Sequence, residues 1–91
     1  PMPDTHELVH DLAALRASFM LWTMSDHEFI KADAALLVAL ERALDWDRAA
    51  ISTAEDEIDG LVCAALTAYG LRRVPGGLWF RGAGYVAEVA R

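Results

Sequence analysis

Apolar residues at three-to-four spacing dominate the first two thirds of this 91-residue chain and commit it to amphipathic helices. Leu8, Leu12, Leu15, Phe19 and Trp22 make one stripe. Phe29, Ile30, Leu36, Leu37, Leu40 and Leu44 make a second, and Ala54, Ile58, Leu61, Val62, Ala65 and Tyr69 a third. Asp4, Thr5 and Glu7 suit a helix start, where orphan N–H groups and the macrodipole favour oxygen and negative charge. Ser25 with Glu28 reads as a capping box, and Ser52 with Glu55 and Thr53 with Asp56 repeat the pattern. Gly70, able to take the left-handed conformation, precedes an apolar Leu71 and suits a C-terminal cap. The predicted helices cover about 4–24, 26–46 and 53–69. So little chain lies between Met24 and Asp26 that the first two should form a tight antiparallel αα-hairpin.

The period changes after Gly70. Leu71-Arg72-Arg73-Val74, Pro75-Gly76-Gly77 and Leu78-Trp79-Phe80-Arg81 read as strand, turn and strand. Gly82-Ala83-Gly84 then sets off Tyr85-Val86-Ala87-Glu88-Val89. The expected fold is mainly α (α+β): an αα-hairpin plus a third helix, with a small C-terminal β-hairpin or three-stranded β element over about 71–90. A single domain over 1–91 is expected, burying roughly 60% of the unfolded surface.

Charge is distributed unevenly. Residues 1–60 hold thirteen acids and four bases, a net of −9. Residues 61–91 hold Glu88 against Arg72, Arg73, Arg81 and Arg91, a net of +3. With 55% hydrophobic and 24% charged residues the chain is no disordered segment. An overall −6 argues against gripping nucleic acid over the whole surface. The lone Cys63 excludes an internal disulfide framework and reads as a buried, inert thiol in a reducing compartment. The longest uncharged run, Gly60 to Leu71, is twelve residues, against roughly 18 to 20 for a membrane span. Pro1-Met2-Pro3-Asp4 offers neither the basic nor the apolar region of a secretory signal, and Pro1 reads as the scar of a tag. A cytoplasmic protein with no membrane contact is expected.

His6-Glu7-Leu8-Val9-His10 matches HExxH and so resembles the helical signature of zincin metalloproteases. That resemblance implies zinc on His6 and His10 with Glu7 as general base, a small zinc hydrolase. A catalytic zinc needs a third protein ligand. At about 100° per residue the histidines point almost opposite Leu8, Leu12, Leu15 and Phe19. Folding the hairpin puts His10 level with Ala39 and leaves Glu28 roughly 16 Å away, with Glu41 and Asp45 on flanks. The expectation is two solvent-facing histidines, no cofactor and no catalysis, with His6 and His10 as the alternative metal ligands.

Gly70-Leu71-Arg72-Arg73-Val74-Pro75-Gly76-Gly77-Leu78-Trp79-Phe80 looks like the end of a winged-helix domain, a recognition helix running into its wing. The resemblance implies nucleic-acid contacts from Arg72, Arg73, Trp79 and Arg81. Glu55, Asp56, Glu57 and Asp59, read as the first turns of that helix, would instead repel phosphates.

Asp33 interrupts the apolar face of the second helix and needs a partner; the hairpin puts it level with Arg16, so an ion pair is expected. Trp46, with a second stripe of Ala13, Ala17, Met20 and Met24, suggests more apolar surface than three helices hide, and hence a homodimer or partner groove. The leading expectation is a non-enzymatic protein–protein interaction module that meets a basic, nucleic-acid-binding surface of a partner. Glu41, Asp45, Trp46, Asp47, Glu55, Asp56, Glu57 and Asp59 would make the contact. Small acidic inhibitors from phage and mobile elements, anti-CRISPR proteins among them, are similar in size and charge.

Overall fold

The computed structural model describes residues 4–21, 24–73, 78–81 and 84–88, those beyond Leu71 through their backbone alone. The protein is mainly helical, with α1 (Thr5–Met20), α2 (Asp26–Ala43) and α3 (Arg48–Ala68). Asp4 caps α1, its carboxylate accepting from the His6 N–H at 3.4 Å. The capping box of α2 forms as expected: the Glu28 N–H donates to Ser25 Oγ, and the Ser25 N–H donates to Glu28 Oε2, each at 3.3 Å.

The helix ends differ from the sequence reading, and for a local reason. α1 stops at Met20, short of the expected Met24, with Leu21 as its C-cap. α2 stops at Ala43 instead of reaching Trp46, because Asp45 and Trp46 both turn left-handed, at φ 54° and 58°. The Asp45 N–H donates to the Arg42 carbonyl and the Trp46 N–H to the Glu41 carbonyl, the two bonds of a Schellman stop. Ending α2 there frees Asp47, whose Oδ1 accepts from the Ala49 and Ala50 N–H groups at 3.0 and 3.2 Å. α3 therefore starts at Arg48, well before the expected Ser52 or Thr53. Arginine and alanine propagate a helix well once a carboxylate caps it. Thr53 lies inside the helix and donates its hydroxyl to the Ala49 carbonyl at 3.1 Å.

α1 is the shared partner of the other two helices. Leu8, Val9, Leu12 and Ala13 of α1 meet Leu40 of α2, and Ala54, Ile58, Val62 and Leu66 of α3, in one buried cluster that Leu71 closes. Ala13 and Ala17, expected to be surplus apolar surface, are buried, because α1 packs on both neighbours and so uses more than one stripe. Met20 packs against the same core. Ile30 and Tyr69 depart the other way: expected in the core, they are 66% and 65% exposed. Tyr69 is the C-cap of α3 and no longer on its helical face. Cys63 is half-buried and unpaired by any disulfide.

Near the α1–α2 turn Phe19 and Phe29 stack, ring centroids 4.0 Å apart. One level further, Arg16 Nε bonds Asp33 Oδ1 at 3.0 Å, the expected pair. The same guanidinium reaches Glu55 Oε2 through its Nη1, also at 3.0 Å, so one arginine ties all three helices. Burial alone would lower the Arg16 pKa. The hydrogen bonds and charges of the two carboxylates outweigh it and hold the guanidinium above its ordinary value.

After α3 the backbone runs through β1 (Leu71–Arg73), β2 (Leu78–Arg81) and β3 (Gly84–Glu88), antiparallel in that order. β1 registers Arg72 with Phe80, and the β2–β3 register shifts between Trp79 and Phe80.

Two glycines give substitutions of opposite sign. A Cβ at Gly60 meets nothing within 4 Å, in the middle of α3. Gly60→Ala is therefore expected to stabilise by about 0.5–1 kcal/mol, through helix propensity alone. Gly70 also has open space, but its φ is +85°. Gly70→Ala is expected to destabilise by about 1 kcal/mol, because an L side chain resists that conformation. Urea unfolding of the two variants checks the pair; equal shifts of the same sign would contradict it.

Candidate functional site

The structure divides the eight residues expected to contact a partner into groups. Asp47 is a helix cap and Glu55 is bonded to Arg16, so both carboxylates serve the fold. Glu41 is half-buried on α2. Asp45, Trp46, Asp56, Glu57 and Asp59 are exposed. The acids of α3 do not form one face. Measured around the helix from the buried Ile58, Glu55 lies about 60° to one side and Glu57 about 100° to the other. Glu55 thus reaches Arg16, while Glu57 reaches the start of α1. Asp56 points nearly opposite the core.

Trp46, the one aromatic residue among the expected contacts, lies at the α2–α3 corner. It is 56% exposed and sits in the turn, beyond the end of α2 at Ala43. Two consecutive non-glycine residues with positive φ hold it there. Such a conformation costs on the order of 1 kcal/mol per residue and persists only where surrounding bonds impose it. The Arg42, Glu41 and Leu44 carbonyls supply those bonds, accepting in turn from Asp45, Trp46 and Asp47.

For the basic end, β1 registers Arg73 with Trp79 and Leu71 with Arg81. The side chains of Arg72, Arg73, Trp79 and Arg81 lie outside the described residues. The earlier start of α3 also moves the acids: its first turn carries none, and Glu55 to Asp59 sit two to three turns in.

The histidines are exposed, as expected, but they stand beside α3. Val9 and Ala13 are buried along with Leu8 and Leu12, which rotates the buried face of α1 toward His6 and His10. They lie at the edge of the α1–α3 contact and not opposite the core. Their rings are 4.4 Å apart at the centroids, tilted by 55°. Glu57 completes the group: one nitrogen of each imidazole and one Glu57 carboxylate oxygen all lie within 4.8 Å of one another. The third donor, a carboxylate, thus comes from α3, whereas the sequence reading sought it on α2. Counting Val9 and Ala13 as core would have turned the histidines toward α3 and exposed that error.

A shallow cleft of about 370 Å³ opens beside this group. Val9, Leu44, Ala50 and Ala54 supply apolar wall, and Thr5, His6, Thr53 and Glu57 supply polar atoms. Among the described residues no helix is long and apolar enough to cross a membrane. No protein-family model, curated protein or solved structure matches the chain.

Proposed function

We propose that the protein is a non-enzymatic interaction module that sets its α2–α3 corner against a basic surface of another protein. Trp46 carries the reading: a tryptophan 56% exposed, presented on a backbone in a costly conformation and flanked by Asp45 and Asp47. An aromatic anchor supplies affinity once water is excluded from around it. Asp45, with Asp56 and Asp59 on α3, supplies a negative field that speeds encounter with a positive partner. A basic surface of this kind is what nucleic-acid-binding proteins carry, so occupation of it by this chain would inhibit, as anti-CRISPR-like phage proteins do. In this reading residues 1–91 work as one domain, with a small β element over about 71–90.

Capture from the source cells, with wild-type protein and an Asp45→Asn/Asp56→Asn/Asp59→Asn variant as baits, tests the charge component. The wild type is expected to retain a nucleic-acid-binding protein, with an association rate at least tenfold lower at 0.5 M than at 0.05 M salt. The variant should associate more slowly and lose most of that salt dependence. Equal rates for the two baits would refute the acidic contact. Salt-sensitive duplex DNA binding that is lost in Arg72→Ala/Arg73→Ala would point to the winged-helix reading instead.

A further inference from the structure

We propose that His6, His10 and Glu57 form a binding site for a divalent transition-metal ion of the zinc class, bridging the start of α1 to α3. The donor set is two imidazoles and a carboxylate, a combination that suits zinc and its first-row neighbours and not the hard, all-oxygen ions. The two histidines are one helical turn apart on α1, which puts their rings side by side. Glu57 enters from a second helix, and the two helices are fixed against each other by Val9, Ala13, Ala54 and Ile58 of the core. The metal site is therefore held together by the tertiary fold and goes beyond a chelate of neighbouring residues on one helix.

The distances suit the proposal. Ligand atoms about 2.0–2.1 Å from a tetrahedral zinc are about 3.3 Å from one another. Closing from a 4.8 Å spread to that figure asks for about 1.5 Å, shared among three exposed side chains that can rotate. Three protein ligands leave a fourth position for water or for an anionic or carbonyl oxygen. That position is open to solvent, and the cleft lined by Val9, Leu44 and Thr53 adjoins it. Of the acids expected at a docking surface only Glu57 takes part; Asp45, Asp56 and Asp59, which carry the proposed acidic contact, do not, so loss of that contact in their variants leaves the metal ligands in place.

Titration of the metal-free, tag-free protein with zinc chloride tests the site, read by calorimetry and by thermal unfolding. One zinc per chain is expected, with a dissociation constant in the micromolar range or tighter. Zinc at a hundredfold excess over that constant should raise Tm by on the order of 10 °C, since the ion binds the folded protein in preference to the unfolded chain. Glu57→Gln should weaken binding at least tenfold and remove most of the rise in Tm, and His10→Ala should do the same. Glu57 and His10 are exposed, so these variants are expected to keep the fold of the metal-free protein, which circular dichroism checks. Zinc binding as tight in Glu57→Gln as in the wild type would reduce the site to an adventitious histidine pair and overturn the proposal. So would the absence of one-to-one binding in the wild type.

Discussion

Leu12→Ala is expected to destabilise the protein by about 3 kcal/mol, within the 2–5 kcal/mol span of buried leucine truncations. Leu12 is fully buried, and it sits on the helix that both other helices pack against. Truncation removes three carbons from that junction. Neighbours on α2 and α3 cannot close the gap without losing contact with the rest of α1. A chain of 91 residues has a total stability of about 5–14 kcal/mol, so the loss is a large fraction of it. Thermal unfolding should show Tm falling by about 12–24 °C. Ile30→Ala provides the comparison: at 66% exposure it should change stability by no more than about 0.5 kcal/mol. Similar shifts in the two variants would mean that α1 is not the centre of the core.

Arg16→Met is expected to destabilise by about 2 kcal/mol, more than a surface ion pair is worth. Asp33 and Glu55 both rely on this guanidinium at 3.0 Å. Removing it leaves two unpaired carboxylates, one on α2 and one on α3, with the Asp33 side chain only 19% exposed. Most of the loss comes from that stranded charge and less from the bond itself. Solvent still reaches all three groups, which keeps the figure below the 3–5 kcal/mol of a fully buried pair. The double variant Arg16→Met/Asp33→Leu removes the stranded charge and should recover at least half of the loss. Urea unfolding of the single and double variants yields the coupling between the sites, expected near 1 kcal/mol. Strict additivity would contradict an ion cluster that spans the helices.

Most of the helical fold was legible in the chain, because the signals were local. The Ser25–Glu28 box, the Gly70 stop and the pairing of Arg16 with Asp33 all follow from spacing and from the short first turn. The end of α2 was not legible. Asp45 and Trp46 are ordinary residues in a conformation that glycine usually signals, so nothing in the letters marked the stop. That one miss displaced the start of α3 and hid Asp47 as its cap. Candidate sites depended on tertiary direction, which periodicity conveys poorly. A stripe chosen from Leu8, Leu12, Leu15 and Phe19 pointed the histidines away from both neighbouring helices; they are exposed, but the burial of Val9 and Ala13 turns them toward Glu57 of α3. Likewise Glu55 and Glu57 are two letters apart in sequence, yet they leave α3 on opposite flanks and serve different neighbours.

The proposed function rests on Trp46, and the measurement closest to it is the dissociation constant of the captured partner for wild type and Trp46→Ala. Trp46 is outside the core cluster, so the substitution should leave Tm within about 2 °C of wild type. The account predicts a dissociation constant at least tenfold higher for Trp46→Ala, a loss of about 1.4 kcal/mol or more. Equal constants for the two proteins, at equal stability, would contradict it.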